Sequence, residues 1–162
     1  MFRTKILLSA VFITTLMILQ SCSSKEESNI ECINKADIFQ FEKIELLGGV
    51  HQCFKNLLES DSDGAFDTLL NSSQPVSKAY GFWGKLERME SEQEKMDFLK
   101  SKLDETEKVS VKFNDVIYET NLAALYFDIA SSSMSIEAKA KVKDHIKTSN
   151  YTHIDLENYP ID

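Results

Sequence analysis

This 162-residue chain predicts an all-α fold, a compact bundle of about six or seven short helices. Three observations lead there. Apolar residues recur at helical spacing along most of the chain. Clusters of glycine, proline, serine and asparagine punctuate them, and one serine–glutamate pair has the spacing of a capping box. The rival architecture is α+β, with one small hairpin near 108–118.

Taken in order, Ala36 to Leu47 is rich in helix formers, with apolar residues at Ile38, Phe39, Phe41, Ile44 and Leu47. Gly48-Gly49 then bends or divides the chain. Val50, Cys53, Phe54, Leu57 and Leu58 follow the i, i+3, i+4, i+7, i+8 pattern of an amphipathic helix. Ser60 to Gly64 is a turn cluster, after which Phe66, Leu69 and Leu70 form one apolar face. Pro75 suits the opening turn of a helix that buries Val76, Ala79, Tyr80, Trp83 and Leu86. Ser91 and Glu94 start the next, which buries Met96, Leu99 and Leu103.

Residues 108–118 are the exception. Val109, Val111 and Phe113 alternate with polar residues, and Asn114-Asp115 can turn this strand into Val116-Ile117-Tyr118. Against a hairpin, Tyr118, Leu122, Leu125, Tyr126 and Ile129 share one helical face, favouring a helix from about Asp115 to Ala130. Ser135, Ala138, Val142, His145 and Ile146 predict a final helix, followed by an irregular tail from Tyr151.

The N-terminus has a different character. Arg3 and Lys5 precede an apolar stretch of 14 residues, Ile6 to Leu19, and then Gln20, Ser21 and Cys22. A basic start, an apolar run and a small residue at a cleavage point form the layout of a secretory signal. The run is shorter than the roughly 20 apolar residues of a bilayer-crossing helix. Leu19-Gln20-Ser21-Cys22 resembles the lipobox of bacterial lipoproteins. That resemblance, over about the first 22 residues, implies diacylglyceryl transfer to the Cys22 thiol, cleavage before it, and acylation of the new amino group by a chain such as palmitate. Two or three acyl chains anchor firmly where one does not, at about 0.8 kcal/mol per buried CH₂.

The implied organisation is a signal peptide over 1–21, a lipidated N-terminus and polar tether over 22–35, and one globular domain over 36–162. Lys25-Glu26-Glu27 resembles the export signal that sends some lipoproteins of Gram-negative bacteria to the cell surface. It reads equally as a solvated linker. The expected location is the cell envelope, lipid-anchored to a membrane, with the outer membrane favoured and the body periplasmic or surface-exposed.

The chain carries 18 Lys+Arg against 26 Asp+Glu; loss of Arg3 and Lys5 with the signal peptide takes the net charge from −8 to −10. Such a surface repels nucleic acid and favours a basic protein partner. Cys32 and Cys53 are the thiols left after lipidation, and in an oxidising compartment two such residues commonly pair. They read as a disulfide or as two unrelated cysteines.

Catalytic signatures are few. Glu59 to Leu70 places Asp61, Asp63, Gly64, Phe66 and Asp67 at positions of a calcium loop, but Leu70 stands where the bidentate glutamate belongs. His51, His145 and His153 have no metal-ligand spacing. Neither a nucleophile elbow nor a phosphate-binding loop occurs, so no catalytic residue, metal or cofactor is assigned. Tyr80, Phe82 and Trp83, interleaved with Gly81 and Gly84, form the most suggestive binding feature: a flat aromatic contact surface, or else simply core.

The expected role is therefore a non-enzymatic envelope lipoprotein acting through protein contacts, in one specific form an immunity or inhibitor protein. The alternative is a small-molecule-binding or enzymatic lipoprotein with a pocket lined by Tyr80, Trp83, Tyr118 and Tyr126.

Overall fold

A computed structural model describes residues 25–40, 49–60 and 63–156. The stretch resembling a lipobox and the expected signal region, the expected helical positions Phe41, Ile44 and Leu47, and Asp61 of the calcium-loop pattern lie outside the described residues. The fold is mostly helical but not purely so: among the described residues seven helices accompany a three-stranded sheet. In chain order these are α1 (residues 25–34), β1 (Phe39–Gln40), α2 (Val50–Leu58), α3 (Asp63–Leu70), α4 (Pro75–Glu87), α5 (Glu92–Lys100), β2 (Lys108–Phe113), β3 (Val116–Asn121), α6 (Leu122–Ser131) and α7 (Ile136–Thr148).

The helices start where local chemistry satisfies their first amide groups. Pro75 opens α4. Ser91 accepts from the Glu94 amide, and the Glu94 carboxylate accepts in return from the Ser91 amide. Asn121 caps α6 through the Ala124 amide, and Ser135 caps α7 through that of Ala138.

The helix expected from about Asp115 is corrected. β3 runs to Asn121 and pairs antiparallel with β2, from Phe113↔Val116 to Lys108↔Asn121. Asn114 takes a left-handed φ of 51° in the two-residue turn, a conformation asparagine tolerates. Val116 and Ile117 are β-branched and gain a ladder partner, so the helix begins only after the Asn121 cap. Leu122, Leu125, Tyr126 and Ile129 do lie on α6 and are buried.

Two further corrections concern the start of the domain. Phe39–Gln40 is a strand, parallel to β2 with Phe39↔Val111 and Gln40↔Lys112, rather than helix. The tether expected over 22–35 is helical from residue 25. Ile33 is fully buried, Asn29 accepts from Asn56 Nδ2 at 3.2 Å, and Ser77 Oγ donates to Asn34 at 2.6 Å. Those tertiary contacts offset the ordering entropy that a polar segment could not offset alone.

The core lies on both sides of α4. Tyr80 and Trp83 meet Phe39, Phe54 and His51 on one side, with Phe54–Trp83 centroids 4.7 Å apart. On the other side Phe82 stacks between Tyr126 at 4.2 Å and Phe98 at 4.9 Å. α3 crosses α4 closely: a Cβ at Gly81 would strike the Leu70 backbone, and one at Gly84 the Phe66 ring.

Candidate functional site

Cys32 and Cys53 form a disulfide, with Cα atoms 6.4 Å apart, tying α1 to the first turn of α2. Cys53 lies on the partly buried flank of the helix that carries Phe54 and Leu57 into the core, which brings its thiol against α1.

Tyr80 and Phe82 are fully buried and Trp83 is half-buried, so the three rings are core and not a flat contact surface. The interleaved glycines have a packing reason: they let α3 approach α4. Burial pushes the Tyr80 hydroxyl up to about 12, opposed by its contact with the Gln40 backbone. Tyr126 is also raised, first by burial and then by the Glu105 carboxylate that its hydroxyl donates to at 3.2 Å. Of the four aromatics expected to line a pocket, only Tyr118 is substantially exposed.

The calcium-loop pattern is not a loop from its fifth position onward. Asp63, Gly64, Phe66 and Asp67 belong to α3 rather than to a loop. Asp67 pairs with Lys85 at 2.9 Å. His51 packs beside Trp83, His145 beside Tyr151, and His153 Nε2 lies 2.7 Å from the Leu103 carbonyl oxygen. Among the described residues no cluster of metal-ligating side chains occurs.

Two features escaped the sequence reading. Asp128 is buried on α6, and loss of water pushes its carboxyl up to about 8, so at neutral pH it is largely protonated. It lies near enough to Tyr118 to raise that hydroxyl, after the larger effect of burial. A single carboxylate within the apolar run Leu122–Ala130 was the signal. The second feature is the exposure of Val116 (62%), Ile117 (58%) and Ile136 (86%), with Tyr118 at 38%. The alternating pattern of β2 implies a half-buried sheet, but among the described residues the same length of β3 is left largely exposed.

Some acidic side chains have structural tasks. Glu92 accepts from both the amide (2.6 Å) and the hydroxyl (3.0 Å) of Ser135, which hold its carboxyl below the ordinary range. Glu87 accepts from Trp83 Nε1 at 2.9 Å. Glu90, Asp104 and Asp144 remain exposed.

Among the described residues no helix is long and apolar enough to cross a membrane. No family model, curated protein or solved structure matches this chain.

Proposed function

We propose that the protein is a lipid-anchored envelope protein, non-enzymatic, that acts by binding another protein. The lipobox Leu19-Gln20-Ser21-Cys22, behind a basic start and a short apolar run, carries this proposal. The anchor fixes the body to a membrane outside the cytosol, in the outer membrane by preference. The body presents an acidic surface to its partner, and acidic groups accelerate encounter with a basic surface. In its specific form the partner is a basic toxin domain that the protein neutralises.

Intact-mass measurement of native material tests the anchor. Loss of residues 1–21 and gain of diacylglyceryl and acyl mass on Cys22 is the expected result; an unmodified Cys22 thiol overturns the proposal. The partner is tested by affinity capture with the lipidated protein at low and high salt. A basic protein retained at low salt, released at high salt and lost with Glu90→Lys, Asp104→Lys and Asp144→Lys together is the expected outcome. Capture indifferent to salt and charge counts against the acidic surface as the recognition element.

A second reading, binding of a small molecule, is favoured by one observation: Asp128, buried and with its carboxyl pushed up to about 8, can hold a proton and donate a hydrogen bond near the exposed Tyr118. Saturable ligand binding abolished by both Asp128→Ala and Tyr118→Phe would select it.

A further inference from the structure

The large apolar side chains exposed among the described residues gather at one end of the molecule, the end at which the chain enters from Cys22. Their placement follows from contacts along α4. α1 runs antiparallel to α2, since Cys32 joins Cys53 and Asn29 meets Asn56 three residues on. Continued by one more turn, the start of α1 at Lys25 lies beside Ser60. Arg88, at the C-terminal end of α4, donates to the carbonyls of Leu57 and Ser60. The entry point of the chain therefore sits at the C-terminal end of α4.

The hairpin points the same way. α6 follows α4 in the same direction: Glu107 accepts from Lys78 and from the amide of Leu122, and one turn later Phe82 stacks on Tyr126. β2 starts just after Glu107, beside Lys78, and carries Val111 to Phe39, which packs on Tyr80 and Trp83, so its far end and the turn into antiparallel β3 point toward the C-terminal end of α4. Val116 and Ile117 thus lie toward the C-terminal ends of α6 and α4. Ile136 joins them because its neighbour Ser135 is held by Glu92, four residues beyond Arg88.

From the Cys22 Cα to that of Lys25 the chain spans three peptide links, at most about 11 Å. α1 is fastened to the body by the disulfide and by Ile33, so no long tether separates anchor from domain. We infer that this end, with Val116, Ile117 and Ile136 at its rim, is the surface that rests on the lipid bilayer, an inference that depends on Cys22 being acylated as proposed above. The acyl chains supply attachment, and the apolar side chains enter the boundary between headgroups and acyl chains and set the orientation. Acidic neighbours such as Asp115 and Glu137 favour a zwitterionic over an anionic surface.

The test uses the native lipidated full chain in phosphatidylcholine–phosphatidylethanolamine vesicles doped with a lipid that carries a photoreactive diazirine near its headgroup. Beyond the anchor peptide itself, lipid adducts are expected on peptides covering 114–118 and 134–138. Val116→Ser/Ile117→Ser/Ile136→Ser should remove most of them, with the mass of Cys22 unchanged. Because all three positions are exposed, urea unfolding of this variant should match that of the parent. Adducts at the opposite end, around Asn34 and Pro75, or none outside the anchor peptide, overturn the inference and leave the anchor standing when the same sample shows an acylated Cys22. Crosslinks between the Lys112 side chains of two chains, formed by a bifunctional amine-reactive reagent in a parallel sample that shows no lipid adducts, overturn it in favour of self-association. An unmodified Cys22 overturns both.

Discussion

Gly81 and Gly84 let α4 cross α3 closely, with the Leu70 backbone and the Phe66 ring occupying the space a methyl group would need. Neither contact can yield cheaply, because one is backbone and the other a ring packed among Phe54 and Arg88. Gly81→Ala and Gly84→Ala should each destabilise by about 1–3 kcal/mol despite the higher helix propensity of alanine, read as a lower urea midpoint. Asp128 makes a prediction of a different kind. Its carboxyl is raised from 3.8 to about 8 on folding, so between those limits the folded state binds the extra proton. Stability should be highest below that window and fall as pH rises through it, by up to about 1.4 kcal/mol per pH unit from this group. Urea midpoints measured across the window should show that slope, and Asp128→Asn should flatten it. At this scale the sequence was legible where it spoke of burial. The spacing of Tyr80 and Trp83 correctly put them on an inward face, but whether a ring beside glycine is offered to a partner or packed against another helix depends on α3, which spacing within α4 cannot register.

Amphipathic spacing and cap chemistry locate α2, α4, α5 and α7, because both signals lie within the helix they describe. β1 and α1 were misread for the opposite reason. Two residues, Phe39 and Gln40, are a strand only because Val111 and Lys112 pair with them from seventy positions away. α1 is ordered by the disulfide, by Asn29–Asn56 and by Asn34–Ser77, each a partner remote in sequence. Cys32→Ala/Cys53→Ala should therefore lower stability by about 3 kcal/mol in the chain-entropy model of a loop of this size. Amide exchange should show where: residues 25–34 lose protection first, while α4 and α6 keep theirs.

One core serves the whole molecule, since α4 carries the Phe39–Phe54 cluster on one side and the Phe98–Tyr126 stack on the other. Far-UV circular dichroism and the fluorescence of Trp83, which sits at the first of these, should trace a single coincident urea transition. Two separated transitions would mean that α5, α6 and α7 melt independently. The acidic charge and the cysteine pair are readable at this scale, whereas the direction in which the hairpin points is not, being fixed only once α6 packs parallel to α4. α6 carries one more implication. From Leu122 to Ala130 every side chain is buried, so the helix has no face reserved for water. In a refolding chain this segment stays naked and adhesive until α4 and α5 pack against it, so clumping rather than weak native stability should limit recovery of folded material. Solubilising substitutions should be sought elsewhere on the molecule, since any placed there would injure the folded state as much as it helped the nascent one.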